Sequence, residues 1–215
     1  MLSALTSQIE AVARDFNSQG VANTLWAFAT IGRKPGERVM GMLEERAEEI
    51  AGTLNSQDVA NTLWAFATIR RKPGERVMGL LGKKVEEIAG TFNQQEVANT
   101  LWAFATMRWE PGEQVMGMLE RRAEEITETF NSQNVANTLW AFAKMGREPG
   151  ERVMGPLEKK VEEIAGTFNS QDVANTLWAF ATMGREPGER VMGLLENKWK
   201  GLDRKSVMFG TNGKG

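Results

Sequence analysis

Five positions in this 215-residue chain stand 38 residues apart and vary among polar types: Gly20, Asp58, Glu96, Asn134 and Asp172. Three residues after each comes a constant asparagine, at Asn23, Asn61, Asn99, Asn137 and Asn175. A side-chain amide donates and accepts hydrogen bonds at once, so it can pair with a planar edge that does the same. A variable polar group beside a constant amide, repeated at a fixed step, is chemistry for recognising a linear ligand one position at a time. The same residue types also suit the third position of a helix, where the side chain reaches back to the helix start. The asparagines could equally tie adjacent helices together. The residues alone leave both uses open.

Other chemistry is poorly supplied. The chain has no His, Cys or Tyr, which removes His-assisted nucleophilic catalysis, disulfides and nearly all zinc sites. Paired carboxylates such as Glu48 and Glu49 recur on an outward face and imply no cleft, so no enzymatic activity, no metal and no cofactor is expected. Charge is high but balanced, 26 basic against 28 acidic residues for a net of −2, unlike a protein that holds nucleic acid by bulk charge. Two basic rows could still touch phosphates: Arg33, Arg71, Arg147 and Arg185, and then Arg38, Arg76, Arg152 and Arg190. Neighbouring glutamates would offset both rows. Trp109 replaces the arginine of the first row once, as a stacking group or a drifted surface residue. No apolar run approaches the roughly 20 residues of a membrane helix. The start Met1-Leu2-Ser3-Ala4-Leu5 lacks the basic flank of a secretory signal. The glycine-rich end after Gly210 lacks the spacing of a phosphate loop.

The elements that must position these side chains follow from the repeat. Val-Ala-Asn-Thr-Leu-Trp-Ala-Phe-Ala begins at Val21, Val59, Val97, Val135 and Val173 without insertion. Each unit reads as two helices. Asn55 with Asp58 forms a capping-box start for the first, and Leu54 with Val59 a hydrophobic staple. Val21, Leu25 and Phe28 share its buried face, and constant Trp26 is assigned to packing rather than to a ligand. Gly32, Gly146 and Gly184 suit a left-handed stop, while Arg70 and Arg108 stand at the same place. Pro35 is expected to open the second helix at its first position, with Val39, Leu43, Ala47 and Ile50 buried and Gly52 ending it. Stacking of such pairs makes a continuous core. The expected fold is therefore all-α: a right-handed α/α solenoid of about five antiparallel helix-pair repeats over residues 1–199. Units start near 16, 54, 92, 130 and 168, with 1–15 as a partial helix and 200–215 as a flexible tail. Pro156 should kink the fourth second helix. Neither end carries an evident capping repeat, which suggests a window on a longer array or end-to-end association.

The run Phe168-Asn169-Ser170-Gln171-Asp172-Val173-Ala174-Asn175-Thr176-Leu177-Trp178-Ala179-Phe180-Ala181 resembles the signature of octotricopeptide repeats, and the 38-residue period agrees. The family's Pro-Pro-Pro-Glu-Trp segment is reduced here to Glu148-Pro149-Gly150-Glu151-Arg152, and no RAP domain is visible. The resemblance implies a solenoid that binds single-stranded RNA sequence-specifically, acting in RNA stability, processing or translation in chloroplasts or mitochondria. The sequence itself carries no visible transit peptide. Such arrays read about one base per repeat through two or three side chains. That makes the Gly20 and Asn23 positions and their equivalents the expected RNA contacts, and Arg33, Arg71, Arg147 and Arg185 the expected phosphate contacts. A protein-interaction scaffold is the alternative, favoured by the acidic groups at the variable position.

Overall fold

An asparagine starts every first helix. Asn17, Asn55, Asn93, Asn131 and Asn169 are extended N-caps whose side chains accept from the backbone amide three residues on. In all but the first, that third residue returns the bond to the cap's own amide and closes the box. Phe16, Leu54, Phe92, Phe130 and Phe168 are the extended residues just before the caps.

The computed structural model describes residues 2–210, with side chains described over 7–202. In chain order the helices are α1 (Leu2–Val12), α2 (Ser18–Ile31), α3 (Glu37–Glu49), α4 (Ser56–Thr68), α5 (Glu75–Ile88), α6 (Gln94–Met107), α7 (Glu113–Ile126), α8 (Ser132–Lys144), α9 (Glu151–Ile164), α10 (Ser170–Met183) and α11 (Glu189–Gly210). No strand occurs among the described residues. Even-numbered helices are the first helix of each pair, here called A. Odd-numbered helices are the second, called B.

Two compact units divide the chain, Met1–Arg122 and Ala123–Gly215. In the first, α2 packs on α4 and α4 on α6, while α3 packs on α5. In the second, α8 packs on α10 and α9 on α11. Helix A against helix A, with helix B behind, is the packing of a helical solenoid. The first unit's core joins Val21, Leu25 and Phe28 of α2 to Val39, Leu43 and Ala47 of α3 and to Phe66 of α4.

Three local expectations change. Helix B begins at Glu37, with Gly36 extended as its cap (φ −61°, ψ 155°), so Pro35 lies just outside rather than at the first helical position; Gly74 and Gly150 take the cap in the same way after Pro73 and Pro149. Gly52 does not end helix B; α3 stops at Glu49 and a 3₁₀ turn, Ala51–Thr53, follows. Helix α11 continues to Gly210, through residues where a tail was expected, because no proline interrupts it; residues 211–215 lie outside the described residues. Helix α9 runs unbroken through Pro156. Its first turn tightens, with the Val153 amide donating to the Gly150 carbonyl at 2.9 Å.

Candidate nucleic-acid interface

The junctions between repeats determine which polar groups remain available. In the first unit, Arg46 Nε donates to the Phe16 carbonyl at 2.7 Å, Lys84 Nζ to that of Gly52 at 2.9 Å and Arg122 Nε to that of Phe92 at 2.7 Å. In the second, Lys160 Nζ donates to the Glu128 carbonyl at 2.7 Å, and Lys198 to that of Gly166. A cation on each helix B thus holds the turn before the previous repeat's B-to-A crossing or just after it. These bonds link residues 30 to 32 apart.

The first arginine row is drawn into the same junctions. Arg71 Nε donates to Glu44 at 2.6 Å and its Nη1 to Glu37 at 2.5 Å. Arg185 Nε donates to Glu158 at 2.5 Å and its two Nη atoms to Glu151 at 2.7 and 3.1 Å. These hydrogen bonds hold both guanidiniums above their ordinary pKa, led by Glu37 for Arg71 and by Glu151 for Arg185. The Arg185 hydrogen bond likewise holds the Glu151 carboxyl below its usual range. A guanidinium saturated by carboxylates has little left for a phosphate. Arg147 is half-buried, and Arg33 alone of this row is exposed. Three of the second row are engaged too, Arg38 with Glu10, Arg76 with Glu48 and Arg190 with Glu162, while Arg152 is exposed.

Trp109 is neither a stacking group nor a drifted surface residue. The arginine's usual partner, Glu44 or Glu158, is Gly82 at this junction. A Cβ on Gly82 would fall within the Trp109 ring, which lies edge-on to Phe104 with centroids 4.7 Å apart. An aromatic ring and a glycine replace a salt bridge.

The variable row is committed as well. Asp58, Glu96, Asn134 and Asp172 are between 4 and 9% exposed. Each accepts from its cap's amide, at 3.3, 2.8, 3.3 and 3.1 Å. Groups buried against the helix start cannot reach a base, and Gly20 has no side chain to do so. The variation at this row is therefore capping chemistry, which corrects the expected role in reading RNA.

The constant asparagines do remain accessible. Asn23 is exposed and Asn61, Asn99, Asn137 and Asn175 are half-buried. They do not stand alone. Gln19, Asn23, Trp26 and Thr30 follow at spacings of four, three and four, one stripe of a helix. The stripe recurs on α4, α6, α8 and α10, with Lys144 replacing threonine on α8. Trp26 is 45% and Trp178 41% exposed, and Trp64, Trp102 and Trp140 are half-buried. Within the second unit, Trp140 and Trp178 lie with centroids 6.1 Å apart, tilted by 36°. Gln171 donates to Asn175 Oδ1 at 2.8 Å. Assigning the tryptophans to packing missed this surface, although the four-three-four spacing was there to find it.

A family model described as RNA-editing substrate-binding complex 6 protein matches residues 71–198, more than half of the chain. The chain belongs to that family. A second model, described as a protein of unknown function (DUF1601), matches residues 9–25 and 48–63. A comparison with curated proteins finds no match. The match to the RNA-editing substrate-binding complex 6 family takes in the stripes of α6, α8 and α10 and the Arg185 cluster with Glu148, Glu151 and Glu158. No helix among the described residues is long and apolar enough to cross a membrane.

Proposed function

We propose that this chain is an RNA-associated helical-repeat protein that takes single-stranded RNA along its A helices, about one nucleotide per repeat, within an assembly that handles RNA substrates for editing. The observation that carries this reading is the repeated Gln-Asn-Trp-Thr stripe. Its tryptophans offer faces on which bases stack, worth about 1–3 kcal/mol per base. The amides beside them offer paired donors and acceptors for base edges. The family's description supplies the RNA-editing context, and the octotricopeptide resemblance supports an organellar setting. The action is binding and positioning, without catalysis.

The stripe is nearly constant, so each repeat presents the same contacts. The reading therefore favours a repetitive or low-complexity RNA over a complex code. Lys144 is the one departure. Anisotropy titration of homopolymeric and mixed single-stranded RNAs tests this, with tryptophan quenching as a second signal. W64A and W102A should each weaken binding about 5- to 100-fold, the equivalent of one lost stack. Asn134→Asp should leave base preference unchanged, since Asp caps equally well at Asp58 and Asp172. Absence of binding to any single-stranded RNA would sink the proposal.

A protein-docking scaffold is the second reading. It is favoured by the uncharged, half-apolar stripe and by the large exposed rings of Trp26 and Trp178. Partner capture that survives ribonuclease, with no RNA affinity, would favour it.

A further inference from the structure

Every A helix ends in a left-handed residue whose amide bonds back to an alanine carbonyl, while the next amide reaches a phenylalanine carbonyl. At three corners that residue is glycine: Gly32, Gly146 and Gly184, with φ of 69°, 67° and 68°. At the other two it is arginine: Arg70 with φ 55° and Arg108 with φ 52°. The hydrogen bonds are the same, so nothing in the turn calls for arginine. The left-handed conformation disfavours any residue with a Cβ. Local strain of this kind persists where the side chain is put to use.

Both strained arginines lie in the first unit and both are exposed. Neither forms an ion pair among the described residues, and the same holds for Arg33, Lys34 and Lys72. The corners of the first unit read Gly32-Arg33-Lys34, Arg70-Arg71-Lys72 and Arg108-Trp109-Glu110. Those of the second read Gly146-Arg147-Glu148 and Gly184-Arg185-Glu186. Lysine after the clasp arginine has become glutamate, so the unpaired positive charge at these corners lies in the first unit.

The surface is shaped as well as charged. Arg70 and Arg71 wall two depressions. One, of about 170 Å³, also has Lys34 and Glu37 in its lining. The other, of about 320 Å³, has Lys72 and Thr106. Thr106 is also the last member of the α6 stripe, so the basic edge meets the foot of the proposed base-binding surface. Arg70 stands six residues beyond Trp64, about 9 Å along a helix axis.

We propose that Lys34, Arg70, Lys72 and Arg108, with Arg33 beside them, form the phosphate-docking edge for an RNA strand whose bases lie on the α4 and α6 stripes. This rests on the single-stranded RNA reading above and adds a location and an asymmetry to it. The first unit grips the backbone through this basic edge, whereas contacts in the second depend on stacking, amides and Lys144 of the α8 stripe. Apart from Arg33, the phosphate contacts fall one residue away from the arginine row expected from sequence, because the clasp arginines are turned into the junction.

The test variant is R70G/R108G, which installs the residue already used at the other three corners and so preserves the turn. Binding of a single-stranded RNA oligonucleotide is titrated across salt concentrations. Two lost phosphate contacts should lower the slope of log K against log salt by about 1.4 and weaken affinity about 25-fold at 0.1 M salt. K83A/R121A, an equal charge change on exposed helix B positions, should leave both unchanged. Unaltered slope and affinity in R70G/R108G would overturn the proposal, as would an equal loss in K83A/R121A. If W64A and W102A lose binding while R70G/R108G does not, the stripe stands and the edge falls. If R70G/R108G keeps RNA binding but loses affinity for polyglutamate, the edge belongs to an acidic protein partner instead. If the unaltered protein binds no single-stranded RNA, the functional reading itself fails.

Discussion

The Trp109–Gly82 junction allows a double-mutant cycle in which each single change is damaging and the pair is not. In G82E the new Cβ would overlap the Trp109 ring, with its Cζ2 and Cζ3 atoms at 3.3 and 3.4 Å. Displacing the ring should destabilise the protein by about 2–3 kcal/mol, the upper part of the overpacking range. In W109R, loss of the edge-on contact with Phe104 removes about 1 kcal/mol. Exposing about 80 Å² of apolar surface at 25 cal/mol/Å² removes about 2 kcal/mol more. The two losses sum to about 5–6 kcal/mol. In G82E/W109R the new side chains can instead adopt the Arg71–Glu44 arrangement, with Nε 2.6 Å from the carboxylate. Such a half-exposed pair contributes at most about 1 kcal/mol, but it fills the space without overlap. The double variant should then lie within about 2 kcal/mol of the parent, a coupling of about 3 kcal/mol. Urea denaturation followed by circular dichroism at two wavelengths measures all four corners of the cycle; coincident transitions are needed because repeat proteins can unfold in parts. Losses that add to within about 0.5 kcal/mol would refute the reasoning, since independent sites behave that way.

Three other perturbations follow from the same geometry. P156L places in α9 the leucine that α5 and α11 carry at the equivalent Leu80 and Leu194; it should stabilise the second unit by about 2–3 kcal/mol in thermal or urea unfolding, as the missing amide and the ring clash are removed. R70G relieves a left-handed backbone, worth about 1–2 kcal/mol, against about 0.4–1 kcal/mol of added unfolded-state entropy; a net gain of about 0.5–1 kcal/mol should appear in urea unfolding. Because Arg185 depresses the Glu151 carboxyl, its stabilisation is full above the unfolded glutamate pKa of about 4.3 and is lost as pH falls through the lower folded value. The melting-temperature gap between the parent and E151Q should therefore close below about pH 4, and a gap that widens on acidification would contradict the assignment.

The helix pairs were legible because their signals are local. An asparagine cap and its partner lie three residues apart, and the Val-Leu-Phe face repeats within one helix. The left-handed stops were legible at Gly32, Gly146 and Gly184 but less so at Arg70 and Arg108, where the structure shows the same backbone closure onto alanine and phenylalanine carbonyls. The junctions were not legible. Arg71 reaches Glu44 and Glu37 across 27 and 34 residues, and only the packed repeats reveal that it turns inward while adjacent Arg70 turns out. The sequence reading put Arg71 in the phosphate row and Arg70 only at a helix stop; the left-handed backbone at Arg70 separates their directions. The variable row misled for a related reason. Apart from Gly20, that position varies among residues that all cap, so its variation looked like a code although the Asp58 side chain is 4% exposed.

These assignments change where electrostatics can act. A net charge of −2 would ordinarily weigh against an RNA ligand, because phosphate neutralisation supplies most non-specific affinity. Yet many of the glutamates are matched inside junctions: Glu37 and Glu44 by Arg71, Glu48 by Arg76, and Glu151 and Glu158 by Arg185. The charge that a strand would meet is the unmatched remainder. In the first unit that remainder includes Arg33, Lys34, Arg70, Lys72 and Arg108, whereas the second unit has Glu148 and Glu186 at the positions of Lys34 and Lys72. Counting residues over the whole chain averages away this difference. A shallow overall salt dependence, carried mainly by residues 1–122, is therefore what a neutral stripe bordered by one basic edge should produce. A steep slope shared equally by both units would require phosphate contacts from Lys144 and Arg152, which lie off the basic edge, or from arginines that the junctions already hold.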